Sequence, residues 1–321
     1  MVSTLTLESL HAGNPDELFP AIESAFGTPD SLGIIVIRMP PDHPYHAQRK
    51  HLLSLAPLLA ALPDAEKKAL EHPASKYSFG WSHGKELMEG VPDDAKGSFY
   101  AQVYERPDLT PEFTAKNPSY GFKNVWPSPD ILNGQSLEQA FVECGKTITE
   151  TGVLLAERLD QFLATKHENL SSLQEALKSP LNCHKGRLLY YFPVSRDSSR
   201  LDSWCGLHLD HSLLTGLTRA ITNPAVLPEG DQSGLYIQLP DGSFTKVGIP
   251  EDCMAFQVGQ AASLLSKGVL RATPHLVKGS DAGGVERSTF ACFLQPDVDF
   301  VLTQEGQTFS QFSEEILADH Y

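Results

Sequence analysis

The stretch WCGLHLDHSLLTGLTRA, residues 204–220, places two histidines and an aspartate in an otherwise apolar segment. His208 and Asp210 are two residues apart, so on a β-strand both side chains would project from the same face. An imidazole nitrogen and a carboxylate oxygen on one face can form part of a metal site. His211 would then point to the opposite face and have a structural role.

A third candidate ligand and a fixed positive charge follow in the same half of the chain. His275 lies in GVLRATPHLVKG at the start of an apolar pair, and Arg287 heads the strongly apolar VERSTFACF. Two histidines and one carboxylate on one face of an octahedron leave three positions open, as non-haem Fe(II) oxygenases require. An arginine offers a planar, always charged fork to a carboxylate. The set therefore predicts an iron site of His208, Asp210 and His275, with Arg287 close to it.

The elements that must position these residues are predicted to be β-strands. After Pro180 the apolar runs RLLYYFPV, GLYIQLPDGSFTKVGI, MAFQVGQAASLLS and STFACFLQP follow one another with turn signals between them. Asp241-Gly242 is typical of a tight hairpin turn. Several short strands in succession indicate a barrel or jelly roll. Such a core brings strands that are distant in sequence together, as the candidate site requires.

The first half of the chain is predicted to be mainly helix and loop. The run Ile34 to Ile37 indicates a buried strand, and the apolar residues 52–62 indicate a helix. Residues 71–130 are rich in aromatics, glycine and proline, which favours a long loop with short elements. Apolar positions at helical spacing over residues 136–164 predict a long scaffold helix, with a capping box of Ser136 and Gln139.

These elements predict an α+β fold with a β-barrel or jelly-roll core. We expect an N-terminal helical and loop portion over residues 1–180, a barrel over 181–300 and a helical tail over 301–321. The long helix would be the scaffold on which the barrel packs.

The net charge and the spacing of the cysteines make several kinds of partner and site less favourable. Forty acidic against 25 basic side chains give a formal net charge of −15, which disfavours nucleic acid and anionic membranes as partners. The five cysteines form no C-x-x-C pair, so they are expected to be reduced thiols rather than disulfides or a zinc site. With no leader pattern and no membrane-length apolar run, we expect a cytoplasmic protein that acts on a small molecule.

Taken with their order along the chain, these motifs resemble the Fe(II)/2-oxoglutarate-dependent dioxygenases of the isopenicillin N synthase-like group. That group carries H-x-D, a distal histidine and R-x-S, which here read His208-Leu209-Asp210, His275 and Arg287-Ser288-Thr289. The segments HKGRLLYYFP, WCGLHLDHSLLTGL and GWSHGKE are similar to those of a poorly characterised branch of the superfamily. Two positions depart from the pattern of plant members: Leu189 replaces an asparagine and Thr289 a serine.

The resemblance implies that the core is a double-stranded β-helix, a cupin-like jelly roll, and it implies a role for each of these residues. His208, Asp210 and His275 would bind Fe(II), and the distal carboxylate of 2-oxoglutarate would be bound by Arg287 and Thr289, with a hydrogen bond from Tyr191. The enzyme would use O₂ and 2-oxoglutarate to oxidise a small organic metabolite, most commonly by hydroxylation, and release succinate and CO₂. Because the N-terminal portion helps to close the substrate side in this group, four residues of SFGWSHGKE become candidate substrate contacts: Trp81, Ser82, His83 and Lys85.

Two alternatives stay open at the level of sequence. Because Leu189 removes a polar contact, the protein could be a 2-oxoglutarate-independent Fe(II) oxidase of the isopenicillin N synthase type. A non-catalytic jelly roll that binds a small molecule is the other alternative, and the full ligand set with Arg287 argues against it. The sequence predicts neither the identity of the substrate nor the oligomeric state.

Overall fold

The computed structural model describes residues 2–88, 91–193 and 204–318. Its strands are β1 (Ser3–Thr6), β2 (Ile34–Arg38), β3 (Gly80–His83), β4 (Leu87–Met88), β5 (Val91–Pro92), β6 (Lys96–Gln102), β7 (Lys185–Tyr191), β8 (Cys205–His208), β9 (Leu214–Thr218), β10 (Ile221–Asn223), β11 (Gly234–Gln238), β12 (Phe244–Val247), β13 (Cys253–Val258), β14 (His275–Lys278) and β15 (Glu286–Leu294). Its α-helices are α1 (Leu7–Ala12), α2 (Pro15–Ile22), α3 (Tyr45–Ala60), α4 (Asp64–Ala69), α5 (Pro111–Lys116), α6 (Leu137–Ala164), α7 (Leu173–Lys178), α8 (Gln260–Leu265) and α9 (Phe309–Ala318).

Two sheets carry the candidate site. The larger runs in the order β1-β2-β13-β9-β15-β7-β6-β3, with β10 also paired to β15, and the smaller runs β12-β11-β14-β8. In these two sheets every pairing is antiparallel except that of β1 with β2. From β7 onward the chain passes back and forth between the two sheets. The predicted α+β class is confirmed. The larger sheet is mostly antiparallel.

The long helix α6 is the scaffold that the sequence predicts. Its apolar stripe is buried, and the helix approaches the larger sheet so closely that a Cβ on Gly152 would lie 2.2 Å from a Leu294 methyl carbon. The Oγ of Ser136 accepts a hydrogen bond from the backbone N–H of Gln139 at 3.2 Å. The Gln139 side chain donates instead to Glu143, so the N-cap is present without the reciprocal half of the predicted capping box.

The segment expected to be mostly loop contains a fully buried strand. β6 lies between β3 and β7 in the larger sheet, and all seven of its residues are buried. Its sequence KGSFYAQ includes Lys96, Ser98 and Gln102, whose polar side chains are buried as well. These polar residues remove the apolar signal by which a buried strand is recognised, so the sequence pattern indicated a loop.

The N-terminal residues form part of the same sheet as the later strands. The predicted strand at 34–37 is present as β2, which pairs with β13, while the helix predicted for 52–62 begins earlier, at Tyr45. Across residues 2–88, 91–193 and 204–318, no helix combines the length and the apolar character needed to cross a membrane.

Candidate metal and co-substrate site

Strand pairing brings the three predicted metal ligands together. His275 on β14 lies opposite His208 on β8, and their ring centres are 4.3 Å apart. Asp210 follows the end of β8, with its Oδ1 3.8 Å from His208 Nε2 and 3.9 Å from His275 Nε2. Both separations are shorter than twice a metal–ligand bond of about 2.2 Å. One ion could therefore contact the carboxylate and each imidazole.

Two of the three predicted ligands in this cluster, His275 and Asp210, have the protonation states that a metal ion requires. Burial lowers the pKa of the third, His208, but Cys205 and Asp210 outweigh this effect and raise the pKa to about 9, so a metal ion would have to replace its proton. His208 Nδ1 lies 2.8 Å from the Gly206 carbonyl, which leaves Nε2 directed at the cluster. Burial, together with the charge of His208, lowers the pKa of His275 to about 4, so its imidazole is neutral near pH 7. Burial raises the pKa of Asp210, but the two histidines outweigh it and the pKa is lowered. A carboxylate and neutral imidazole are the forms that bind metals.

Gln257 on β13 contacts the imidazole of His275 and helps to set its orientation. Its amide nitrogen lies 2.9 Å from His275 Nδ1, which is also 3.2 Å from the Thr273 carbonyl. The Oε1 of Gln257 is buried and has no hydrogen-bond partner within residues 2–88, 91–193 and 204–318. An imidazole that binds a metal through Nε2 carries its proton on Nδ1. Rotation of the Gln257 amide would bring its unpartnered oxygen to that proton, so these residues fit a metal-bound His275.

A cavity of about 290 Å³ adjoins the cluster and is lined by both sheets. We call it the first cavity. The register of β7 and β15 sets Arg287 opposite Tyr191 and Thr289 opposite Leu189, and all four side chains line the cavity. The predicted co-substrate residues therefore share one cavity with His208, Asp210 and His275.

Arg287 carries a donor that no described residue accepts from. Among the residues that the structure describes, its Nη1 is buried without a hydrogen-bond partner, and the guanidinium carbon lies 4.9 Å from the ring centre of Tyr191. Buried polar atoms are rarely left unpaired, and such an atom in a cavity wall points to a missing partner. A carboxylate would supply two acceptor oxygens.

The other two predicted co-substrate residues are more constrained. The Thr289 hydroxyl donates to the Thr218 carbonyl at 3.2 Å, so its proton is already engaged with β9. Tyr191 stacks against Trp204 with ring centres 5.3 Å apart, and burial raises its pKa to about 12. Tyr191 is therefore a neutral phenol and can donate a hydrogen bond near pH 7.

A second cavity, of about 130 Å³, lies against the same cluster. The residues that line both cavities, which we call the shared wall, are Arg187, Cys205, His208, Asp210 and Phe293. His211, which strand alternation would turn away, also lines the second cavity. Because β8 ends at His208, the alternation expected of a strand no longer applies at the residues that follow.

The four predicted substrate contacts line neither cavity: Trp81, Ser82, His83 and Lys85. The Trp81 ring packs over Gly97, where a Cβ would lie 2.2 Å from it, and Lys85 forms a salt bridge of 3.2 Å with Glu71. Ser82 is buried within β3, and His83 Nε2 lies 2.9 Å from a backbone carbonyl. These residues hold the edge of the sheet, and the prediction of substrate contact gains no support from their positions.

The residue directly after them, Glu86, does line the second cavity. Arg187 Nη2 donates to both oxygens of Glu86 at 2.8 and 2.9 Å, and the Tyr100 hydroxyl donates at 2.6 Å. Burial raises the pKa of Glu86, but the charges of Arg187 and Lys96 and these hydrogen bonds lower it to about 2. Glu86 and Arg187 are far apart in the sequence, and no local motif connects them. They come into contact in the fold, in which β6 pairs with β7.

Comparison with known proteins by sequence finds no match: no family model and no curated protein matches this chain. Comparison by structure finds oxygenases. A full-length Neurospora crassa protein solved with α-ketoglutarate (2-oxoglutarate) is similar at a TM-score of 0.75, with 15% identity over 99% of this chain and 96% of that one. A 2OG-Fe(II) oxygenase family protein from Caulobacter crescentus has a TM-score of 0.73 and 19% identity, covering 99% of this chain and 98% of that one.

A third similar structure is JOX2, solved with 2OG, Fe and JA. Its TM-score is 0.70 at 16% identity, and the match covers 98% of this chain and 84% of that one. These identities are low, so the likeness concerns the fold, and it extends over nearly the whole chain. The protein has the fold of the 2-oxoglutarate- and Fe(II)-dependent oxygenases.

Proposed function

We propose that the protein is a non-haem Fe(II)- and 2-oxoglutarate-dependent oxygenase that hydroxylates a small organic metabolite and forms succinate and CO₂. The observation that carries this proposal is the buried Nη1 of Arg287, which has no hydrogen-bond partner among the described residues and lies in the same cavity as the group of His208, Asp210 and His275. A single metal site is compatible with many functions. An arginine that presents a buried, unpartnered N–H beside such a site fits a co-substrate that ends in a carboxylate.

We also propose that the core is a double-stranded β-helix. The alternation of β7 to β15 between two antiparallel sheets supports this assignment. Within it, residues 181–300 would form the oxygenase barrel, with 1–180 as the N-terminal portion and 301–321 as the tail. Strands β1, β2, β3 and β6 pair within the larger sheet, so the N-terminal portion completes the barrel rather than standing apart from it.

Each residue has a definable task in this function. His208, Asp210 and His275 would hold Fe(II), which when bound to 2-oxoglutarate and O₂ supplies the oxidising chemistry for a C–H bond. Arg287 orients the distal carboxylate of the co-substrate, with Thr289 beside it. Tyr191 donates a hydrogen bond as a neutral phenol. The second cavity receives the substrate on the other side of the shared wall.

The setting that we propose is the cytoplasm, with a small molecule as the partner. All five cysteines are free and buried, which supports a reducing compartment. The similar Neurospora crassa protein has also been solved with α-ketoglutarate and thymine, and the second cavity of this chain is of a size for a small ligand.

The test is anaerobic titration of the Fe(II)-loaded protein with 2-oxoglutarate, followed by the visible charge-transfer band of a chelated keto acid. We expect the band to form, and Arg287→Ala to weaken 2-oxoglutarate binding by about 1.5–3 kcal/mol, the free energy of a charge-assisted hydrogen bond. Arg219→Ala is the matched control, because Arg219 also lines the first cavity but is exposed.

The outcomes separate the alternatives. Iron binding without a band would favour the 2-oxoglutarate-independent oxidase, in agreement with the apolar Leu189 in the cavity wall. Failure to bind iron, with His208→Ala no different from the wild type, would overturn the metal site and the proposed function together.

A further inference from the structure

Lys185 is a buried cation in the second cavity, outside the shared wall. It is 6% exposed, and its Nζ donates to the Ser119 carbonyl at 2.5 Å. The rings of Phe79 and Tyr120 flank the ammonium, with their centres 4.5 and 4.8 Å away. No carboxylate lies within salt-bridge distance of it in residues 2–88, 91–193 and 204–318. Lys185 therefore keeps donors that the described protein does not fill.

The other lysine and arginine side chains that line this cavity have carboxylate partners. Arg187 pairs with Glu86, and Lys96 pairs with Asp93 and lies 4.0 Å from Glu86. Lys185 is different, because burial without such a partner lowers its pKa to about 7. A charge desolvated in this way gains most from an anion that enters the cavity.

A second side chain in the same cavity also lacks a partner. Gln295 is 2% exposed, and its Oε1 has no hydrogen-bond partner among the described residues. Its Nε2 lies 3.3 Å from His211 Nε2, and both residues line the second cavity with Lys185. Lys185 on β7 and Gln295, which directly follows β15, both line one cavity and both keep hydrogen-bonding capacity that the described residues do not fill, which indicates a polar ligand rather than a packing defect.

We propose that the substrate is a small organic acid whose carboxylate is bound by Lys185 in the second cavity, while the Oε1 of Gln295 accepts a hydrogen bond from a hydroxyl or N–H group elsewhere on the substrate. This inference rests on the proposed function for the reaction, but the binding step can be measured without turnover. One buried ammonium without a carboxylate partner suits a single carboxylate. The cavity of about 130 Å³ is close to a cavity of about 150 Å³ that accepts benzene, so a one-ring acid is of a suitable size.

The experiment compares acids with the amides of the same shape. The full chain is loaded with Mn(II), which does not turn over, and with saturating 2-oxoglutarate, so that the first cavity and Arg287 are occupied. Acetate, acetamide, benzoate and benzamide are then titrated, and the broadening of their proton signals by the bound Mn(II) is followed by NMR. We expect at least one acid to bind about tenfold or more tightly than its amide, as a charge-assisted hydrogen bond predicts.

Two substitutions of Lys185 test whether this residue causes the preference for the acid over the amide. Lys185→Met and Lys185→Gln should abolish the preference for the acid, and the glutamine keeps an N–H for the Ser119 carbonyl if the methionine variant folds poorly. Lys278→Met is the matched control, because Lys278 also lies over a ring, 4.8 Å from the centre of Tyr236, but lines neither cavity. This control should keep the wild-type preference.

The results that would overturn the proposal are specific. Equal affinity for acid and amide in both pairs, or a preference that survives in both Lys185 variants, would exclude Lys185 as the carboxylate site. Failure of the proposed function is distinguishable, because it would appear as a failure of Mn(II) or 2-oxoglutarate to bind. The acid preference could then still be measured by calorimetry on the metal-free protein.

Discussion

Three basic side chains line the second cavity, and they differ in whether a carboxylate of the described residues lies within salt-bridge distance of them. Arg187 and Lys96 share Glu86, whereas Lys185 contacts a backbone carbonyl and two aromatic rings. The balanced pair is part of the folded structure, since it ties β6 to β7 and to the segment that follows β3. The unbalanced Lys185 is available to a ligand. Basic side chains around one cavity therefore differ in their expected roles: Arg187 and Lys96 stabilise the fold, and Lys185 is proposed to bind a ligand.

The Glu86 network predicts a loss of stability in acid. The pKa of Glu86 falls from 4.5 to about 2 in the folded protein, so the unfolded chain binds the proton first. The network should stabilise the fold fully above about pH 4.5, by on the order of 3 kcal/mol, and this contribution should vanish as the pH falls towards 2. The measurement is the free energy of unfolding of wild type and Glu86→Gln between pH 2 and 7.

The control for this prediction is Glu112→Gln, because Glu112 is exposed in α5. We expect its stability to follow that of the wild type at every pH. A difference between wild type and Glu86→Gln that stayed constant from pH 7 to pH 2 would contradict the role assigned to the Glu86 carboxylate.

At the scale of elements, the close contact between α6 and the larger sheet fixes the position of the strands that carry the site. Gly152 permits this approach, because a Cβ there would lie 2.2 Å from a Leu294 carbon and 2.8 Å from Phe256. Leu294 ends β15, the strand that also carries Arg287 and Thr289. The helix therefore supports the co-substrate residues from behind.

This packing predicts that Gly152→Ala destabilises the protein, although alanine is the better helix former by about 1 kcal/mol. Overpacking in a close-packed interior typically costs about 1–3 kcal/mol, so we expect a net loss of stability in denaturant unfolding. Gly248→Ala is the control, since nothing lies within 4 Å of a Cβ at that position. If Gly152→Ala had the same free energy of unfolding as the wild type, the larger sheet would have to accommodate the added Cβ without destabilising the protein, and the prediction would be wrong.

The sequence predicts some of these elements much better than others. The three predicted metal ligands and Arg287 stand in short motifs on strands or directly after them, so these candidates and the presence of β8, β14 and β15 are predicted from local patterns. The strand β6 was missed because its buried positions include Lys96, Ser98 and Gln102. The isolation of Lys185 depends on which carboxylates other elements bring near it, and no local pattern contains that information.

At the scale of the whole molecule, distant parts of the chain close the second cavity. Ile316 and Leu317 of α9 line it together with residues from the N-terminal and central parts. The helix is tied down by a 2.6 Å salt bridge from Lys76 to Glu314 and a 2.6 Å hydrogen bond between Tyr120 and Ser313. The end of the described chain thus shields the surroundings of Lys185 from water.

This closure predicts that the double variant Ile316→Ala, Leu317→Ala weakens the preference for an organic acid. Water that enters the cavity would screen the charge of Lys185, because electrostatic attraction falls as the local dielectric rises. In the NMR titration we expect the ratio of benzoate to benzamide affinity to fall several-fold, while 2-oxoglutarate affinity stays unchanged. Val301→Ala, at an exposed residue outside both cavities, should change neither, and an intact ratio in the double variant would contradict the closure.

The shared wall has a consequence for anyone who wishes to redesign this protein. Its residues border both cavities, so under the proposed function a substitution there would alter the metal and co-substrate site together with the substrate pocket. Ser78, Ile316 and Leu317 border the second cavity but not the first. Under the same proposal, substrate selectivity could evolve, or be engineered, at these three positions without a change to the residues that surround the metal site.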